Sequence, residues 1–352
     1  MRLTTFGESH GTGVGGVLDG FPAGIEVDLS RVLHDLMRRR PGQSNLTSPR
    51  EESDAVDFLS GIFNGKSLGS PIAFLIRNRD FRPEDYAHLE NLYRPSHADY
   101  TYEKKYGIRD PRGGGRSSAR ETAARVVGGA LAKMLLAKQN IQVRAWVSQI
   151  GPIQASLQKD KITSGQVEVS PVRCPDPEAS EAMVNLIEGL KASGDSTGGL
   201  ITCLVKGVPA GIGEPVFDKL QACLAHAMLS INATKGFDFG SGFEAPAMKG
   251  SEHNDAFVRD EAGNVTTRTN FSGGIQGGIS NGEEIIFRVA FKPVATIAKE
   301  QDTIDRDGKP VRLSSKGRHD PCVVPRAVPI VEAMAALVIA DHILLNKAAS
   351  IT

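Results

Sequence analysis

Apolar residues recur at helical spacing from residue 29. Leu29, Val32, Leu33, Leu36 and Met37 form an i, i+3, i+4, i+7, i+8 stripe. Asp28 is placed to cap it and Pro41-Gly42 to stop it, which predicts a helix whose last turn carries Arg38, Arg39 and Arg40. Three adjacent cations complement the negative end of the helix dipole and can sit in water, yet they repel one another, so a nearby anion would relieve them. A second stripe, Ala123, Val126, Val127, Ala130, Leu131, Met134 and Leu135, predicts a helix just after Gly113-Gly114-Gly115. Ser117 or Ser118 would cap it, with Glu121 completing a capping box with Ser118. Further helices are expected near 178–191, 215–229 and 325–346, the last rich in Ala, Val, Ile and Leu and therefore interior.

Strand-like runs lie between them: Gly69 to Ile76, Gln142 to Ile150, Gly199 to Val205 and Glu284 to Phe291. Strands and helices interleave without a composition break or low-complexity linker. The pattern predicts one α/β (α+β) domain spanning residues 1–352 rather than two separate units. The polar stretch Lys299 to Lys316 reads as a long mobile loop, a lid candidate leading into Gly317-Arg318-His319-Asp320-Pro321.

Composition narrows the classes. The 352 residues are 40% hydrophobic, enough for a substantial core. Basic and acidic residues balance at 41 each, which argues against a general nucleic-acid or membrane-surface binder. Cys174, Cys203, Cys223 and Cys322 form no C-x-x-C pair, so a zinc or thioredoxin-like site is not expected, and no metal is. With no apolar signal core at the N-terminus and no run of about 18 apolar residues, a cytoplasmic location is expected.

Two glycine patterns mislead. Gly11-Thr12-Gly13-Val14-Gly15-Gly16 matches G-x-G-x-x-G, but Gly20 and Pro22 follow where a helix is required, so a turn and strand passage fits better than a dinucleotide site. Gly61-Ile62-Phe63-Asn64-Gly65-Lys66-Ser67 is one residue short of a P-loop between its glycines.

Three blocks carry chemistry: Gly7-Glu8-Ser9-His10-Gly11, Arg112-Gly113-Gly114-Gly115-Arg116-Ser117-Ser118-Ala119-Arg120, and Gly317-Arg318-His319-Asp320-Pro321. In the second, glycines permit close backbone approach, a helix start offers N–H donors, and Arg116 and Arg120 add bidentate anion recognition. His10, and His97 within Arg94-Pro95-Ser96-His97-Ala98-Asp99-Tyr100, are titratable candidates for acid catalysis at an oxygen leaving group. Asp320 precedes the last helix; spacing alone leaves open whether it caps the helix or takes part in catalysis. Together the blocks suit a polyanionic substrate and a proton-transfer step.

With Arg38-Arg39-Arg40-Pro41-Gly42, Ile231-Asn232-Ala233 and Gly273-Gly274-Ile275-Gln276-Gly277-Gly278-Ile279-Ser280, these blocks run in order through nearly the whole chain and closely resemble those of the chorismate synthases. The resemblance implies a single-domain β-α-β sandwich with internal pseudo-two-fold symmetry, assembled as a cytoplasmic homotetramer. It implies a carbon–oxygen lyase at the last step of the shikimate pathway, leading to aromatic amino acids. There 5-enolpyruvylshikimate 3-phosphate loses phosphate and a C6 hydrogen in a trans 1,4-elimination that gives chorismate. Reduced FMN is required although the net reaction is redox-neutral, and NADPH is a candidate reductant.

The resemblance also implies residue roles. His10 is the acid for the leaving phosphate, His97 lies at the flavin's pyrimidine edge, and Asp320 acts on its N5 side. Arg39, Ser118, Ala119, Arg120 and Arg318 would hold substrate. Arg116, Ser117, Ser118, Asn232, Ala233, Gly277, Arg318 and the segment Lys292, Pro293, Val294, Ala295 and Thr296 would line the flavin. The chain departs from the family pattern in three places: it starts near Arg2, Asn45 stands where an arginine is usual, with Arg50 a possible substitute, and Lys292-Pro293-Val294-Ala295-Thr296 replaces a hydroxyl-rich segment. Two other readings compete: a flavin- or nucleotide-binding protein without lyase activity, and an NADPH-dependent flavin oxidoreductase.

Overall fold

The computed structural model describes residues 1–44, 46–47, 53–79, 89–156, 162–314 and 320–349. The first half runs β1 (Arg2–Gly7), β2 (Gly13–Asp19), α1 (Leu29–Arg39), β3 (Val56–Phe58), β4 (Ile62–Phe63), β5 (Lys66–Ser67), β6 (Ile72–Arg77), α2 (Asp99–Tyr106) and α3 (Thr122–Ala137). It continues with β7 (Gln142–Ile150), β8 (Ile153–Gln154), α4 (Ser164–Val169), α5 (Pro177–Ala192), β9 (Gly199–Lys206), α6 (Leu220–Leu229), β10 (Thr234–Phe239) and α7 (Gly250–His253). Last come β11 (Phe257–Arg259), β12 (Val265–Thr267), β13 (Ile275–Gln276), β14 (Ile279–Ser280), β15 (Ile285–Phe291), β16 (Gln301–Ile304), β17 (Pro310–Leu313) and α8 (Val324–Ala349).

Two antiparallel sheets form the outer layers, one ordered β1-β2-β6-β3 and the other β10-β15-β9-β7-β8. Helix α3 packs on the first sheet and α8 on the second, and the two helices pack most extensively on each other. The result is the β-α-β sandwich expected, with one buried apolar cluster running through both sheets and the helices between them. The helices and strands that the pattern predicts lie within about five residues of those observed, whereas β1, β10, α2 and α4 are not anticipated by it.

Several expectations need correction. Leu29, Leu33 and Met37 are 53%, 41% and 52% exposed, whereas Asp35 and Arg39 of the same helix are buried. The inner face of α1 therefore carries charge, because its partners are charged: Arg38 pairs with Asp35, Glu168 and Glu332 instead of lying in water. The stretch expected as a loop at 299–316 holds the β16–β17 hairpin, with Arg306, Asp307 and Gly308 in its connection; residues 315 and 316 lie outside the described residues. Helix α8 is long and apolar enough by composition to cross a membrane, contrary to expectation. Two thirds of its apolar window (67%) is buried inside the fold, as a core helix would be.

Of the glycines in the G-x-G-x-x-G pattern, Gly11 lies in the turn before β2, and Gly13, Gly15 and Gly16 lie within it. A Cβ on Gly15 would lie 2.4 Å from the Phe74 carbonyl oxygen and 2.5 Å from Phe6 Cζ, so these glycines let aromatic side chains and a neighbouring strand close on the sheet.

Candidate active site

The connection from β1 to β2 places Ser9 and His10, both buried, beside the glycine-rich block. Gly113 has φ +71°, and a Cβ there would lie 2.5 Å from His10 Cδ2 and 2.8 Å from His10 Nε2. Only a glycine fits against the imidazole in this way. Asn78, just beyond β6, secures the turn by donating to the carbonyls of Glu8 (3.0 Å) and Gly11 (2.9 Å). Its own Oδ1 accepts from Arg120 Nε at 2.8 Å, which links the histidine turn to the arginine.

Arg120 and Arg39 converge from separate elements on Asp54. Arg39 Nη1 donates to Asp54 Oδ2 at 3.2 Å, and Arg120 Nη1 pairs with Asp54 Oδ1. Arg39 also donates to Thr122 Oγ1 (3.2 Å) and to the Ala119 carbonyl (2.7 Å). Burial pushes the Arg39 guanidinium down to about 9, against the pull of Asp54 and with the push of Arg326 and Arg120. Burial also works to raise the Asp54 carboxyl, but the two guanidiniums outweigh it and hold it below its usual value. Sequence reasoning missed Asp54: it belongs to no motif, and only folding places it between two cations.

Between Gly114 and α3 the chain makes two 3₁₀ turns, Gly115–Ser117 and Ala119–Glu121. Ser118 Oγ accepts the Arg120 N–H at 3.3 Å, so Ser118 caps the second turn rather than α3 directly. Glu121 does not complete a capping box; it accepts from Thr5 Oγ1 (2.8 Å) and from Arg125 Nε (2.9 Å). Arg116 reaches back to β1, donating to Thr5 Oγ1 at 2.7 Å and to the Gly7 carbonyl at 3.1 Å.

His97 lies at the start of α2, with Nδ1 2.9 Å from Asp99 Oδ1. Asp99 is gripped by Arg94 (2.6 and 2.7 Å) and Arg109 (2.9 Å). Arg94 Nη2 donates in addition to the Gly113 carbonyl at 2.8 Å, which ties the His97 segment to the glycine against His10.

Asp320 pairs with Arg326 of α8, whose Nε donates to the Arg39 carbonyl at 3.1 Å. Asn232 Nδ2 donates to the Ser117 carbonyl at 2.8 Å, Ala233 takes φ +67°, and the Lys292 N–H donates to the Ala233 carbonyl at 2.9 Å. A pocket lies among Arg39, Ala119, Asn232, Ala233, Phe291 and Arg326. Burial and nearby Lys235 lower the Lys292 ammonium. In the following segment the Val294 carbonyl accepts from Ser196 Oγ at 2.8 Å and Thr296 is buried.

The fold thus gathers His10, Arg39, Arg116, Ser117, Ser118, Ala119, Arg120, Asn232, Ala233 and Lys292 into one connected region, with His97 and Asp320 joined to it through Arg94 and Arg326. Gly277 sits on the β13–β14 hairpin, where the neighbouring Gly278 carbonyl accepts the Leu220 N–H at 2.9 Å. Arg318, Asn45 and Arg50 lie outside the described residues.

The chorismate synthase family model matches residues 1–344. The chorismate synthase of Cytophaga hutchinsonii is 57% identical over 348 residues, covering 99% of this chain and 97% of that one. That of Parabacteroides distasonis is 58% identical over 346 residues, covering 98% and 96%. A solved crystal structure of chorismate synthase superposes with a TM-score of 0.75 at 33% identity, covering 98% of this chain and 92% of that one. By sequence along its whole length and by fold, the chain belongs to the chorismate synthase family.

Proposed function

We propose that the chain performs the family's reaction with the residues gathered around His10. 5-Enolpyruvylshikimate 3-phosphate loses phosphate and a C6 hydrogen, and chorismate forms. The observation that carries the reading is the convergence of a buried imidazole, a glycine loop and two buried guanidiniums from segments up to 110 residues apart.

Arg39 and Arg120, with Ser118, Ala119 and Arg318, hold the phosphate and carboxylates of the substrate. His10 donates a proton to the phosphate oxygen as the C–O bond breaks. Negative charge grows on that oxygen in the transition state, where an imidazolium supplies both the proton and an opposing charge. Gly113 keeps the imidazole fixed by packing against it.

The family uses reduced FMN, and the residues here fit such a group. Among the described residues Asn232 Oδ1 is buried without a hydrogen-bond partner, while its Nδ2 donates to the Ser117 carbonyl and the adjacent Ala233 carbonyl accepts from the half-buried Lys292. A flavin edge would satisfy that orphaned acceptor. Arg116, Ser117, Ser118, Asn232, Ala233, Gly277, Arg318 and Lys292, Pro293, Val294, Ala295 and Thr296 would hold it. When bound, FMN supplies transient electron density to a reaction with no net redox change. With FMN bound, His97 would lie against the pyrimidine edge as a proton donor or cation, and Asp320 would serve the proton on the N5 side.

NADPH enters only as a reductant of the flavin and is not consumed with turnover. The chain acts as one domain in a cytoplasmic homotetramer, which light scattering after size exclusion tests. The reaction is tested anaerobically with reduced FMN and 5-enolpyruvylshikimate 3-phosphate by following phosphate and chorismate. Absence of phosphate release overturns the reading, and stoichiometric NADPH consumption favours a flavin oxidoreductase instead.

A further inference from the structure

We infer that Asp99 is a positioning residue for the reaction: it fixes His97 as the Nδ1–H tautomer and makes Nε2 the nitrogen that exchanges protons. The inference rests on the proposed role of His97 and adds what sets that residue's orientation.

The argument begins with the backbone. Ser96 adopts φ +59°, and the His97 N–H donates to the Arg94 carbonyl at 3.1 Å, so the chain folds back on itself before α2. This brings His97 Nδ1 to 2.9 Å from Asp99 Oδ1. The same oxygen accepts from Arg94 Nη2 at 2.6 Å and faces Arg109 Nη1 at 2.9 Å. The other oxygen accepts from Arg94 Nε at 2.7 Å and from the Arg94 N–H at 3.1 Å.

Burial works to raise the Asp99 carboxyl, but the hydrogen bonds from Arg94 and His97 hold it well below the usual carboxylate range. An ionised carboxylate has no proton to give and accepts only. At 2.9 Å the nitrogen opposite it must carry the hydrogen; a bare Nδ1 would set lone pair against lone pair. Two guanidiniums already share the single negative charge of Asp99, so its effect on His97 is directional more than electrostatic.

The clamp reaches further in both directions. Arg109 Nη2 donates to the carbonyls of Glu90 (2.7 Å) and Leu92 (2.9 Å), fixing the chain that enters the segment. Arg94 holds the Gly113 carbonyl, and Gly113 packs on His10. One carboxylate–guanidinium pair therefore sets the positions of both imidazoles.

A merely structural Asp99 would neutralise the arginines and leave the tautomer undetermined. The intact enzyme, labelled with ¹⁵N-histidine, separates the two by long-range ¹H–¹⁵N correlation, with His97 assigned from the signals missing in His97→Gln. The expected pattern for neutral His97 is a protonated Nδ1 and a bare Nε2. In Asp99→Asn the amide can turn its NH₂ toward Nδ1, so the population should move to the Nε2–H form. Turnover should fall at least about tenfold with little change in KM.

A wild-type His97 protonated at Nε2 overturns the inference, and so does an Asp99→Asn enzyme with unchanged tautomer and near-normal turnover. Loss of activity in His97→Ala with normal turnover in Asp99→Asn defeats the positioning role alone. Normal turnover in His97→Ala removes the reading beneath it. Because Asp99→Asn leaves two guanidiniums without their counter-ion and can cost the fold, the wild-type spectrum stands as a test that needs no variant.

Discussion

Asp54 Oδ2 lies 3.2 Å from Arg39 Nη1, and the same carboxylate pairs with Arg120, so an internal anion bridges two arginines proposed to hold the substrate. All three residues are nearly or fully buried, at 1–3% exposure. Asp54→Asn should remove the carboxylate that two buried cations share and cost about 3 kcal/mol in urea unfolding. Inorganic phosphate should recover part of that loss by taking the vacated place. An unchanged unfolding midpoint in the variant would show that the bridge contributes nothing.

Much of the fold was legible because hydrophobic period survives folding: α3, α5, β7, β9 and β15 lie where their patterns put them. What periodicity does not report is the partner of each face. Leu29, Leu33 and Met37 satisfy a helical stripe, yet the face of α1 that turns inward meets Glu332 and Asp54 through Arg38 and Arg39. Glu332 left a usable signal, since a lone carboxylate inside an apolar helix must find cations. The β16–β17 hairpin left one too, the Asp307-Gly308 pair that favours a tight turn. Asp54 left none, because its partners come from 15 and 66 residues away. The site blocks were visible as chemistry, but their mutual geometry depends on Asn78 and Arg94, whose tethering roles the motifs did not reveal.

His10→Ala and His97→Ala should each lose at least tenfold in turnover, since general acid–base help is typically worth about 10²–10⁴-fold. Both variants should keep the far-ultraviolet circular dichroism of the parent. Near-normal phosphate release by His10→Ala would remove it as the acid for the leaving group, whatever His97→Ala did.

Asp320→Asn distinguishes chemistry from anchoring. The carboxylate pairs with Arg326, and Arg326 in turn holds the Arg39 carbonyl. A catalytic Asp320 predicts a turnover loss of tenfold or more with only a small fall in melting temperature. A residue that only secures the start of α8 predicts the reverse, a stability loss of about 1 kcal/mol and near-normal turnover. Measuring both quantities on one preparation decides it, and the expected result is the first.

Glu332 gives the fold an acid limit. It accepts from Arg38 Nη1 (2.6 Å), Lys133 Nζ (2.7 Å) and the Ala145 N–H (3.1 Å). Burial works to raise its pKa, but Arg38 and Lys133 outweigh that and hold the carboxyl well below its usual range. A depressed folded pKa means that the stabilisation is complete above the unfolded value of about 4.3 and drains away as pH falls toward the folded one. Glu332→Gln should therefore cost about 3 kcal/mol at pH near 7. The gap between parent and variant should narrow in urea titrations near pH 3. A gap that stays constant with pH would show that the ion pairs do not supply this stability.

Gly128 and Gly129 are neighbours in α3 that should respond to alanine in opposite ways. Glycine inside a helix costs roughly 1 kcal/mol relative to alanine, so both substitutions begin with a gain. At Gly128 the new Cβ would meet the end of the Leu3 side chain, 2.9 Å from Cδ2, which can turn aside. At Gly129 it would lie 2.2 Å from Ala333 Cβ and 2.3 Å from Ala333 Cα, where only movement of α8 relieves the clash. Overpacking of this kind costs about 1–3 kcal/mol. Gly128→Ala should accordingly be close to neutral and Gly129→Ala clearly destabilised in thermal unfolding. The second effect should also reach the site. The N-terminal end of α3 follows Arg120, and α8 carries Arg326, which holds Asp320 and the Arg39 carbonyl. Pushing the helices apart separates these groups, so Gly129→Ala should lower turnover even at temperatures where it remains folded. Full turnover by a folded Gly129→Ala enzyme would show that the α3–α8 spacing does not set the distance between the two halves of the site.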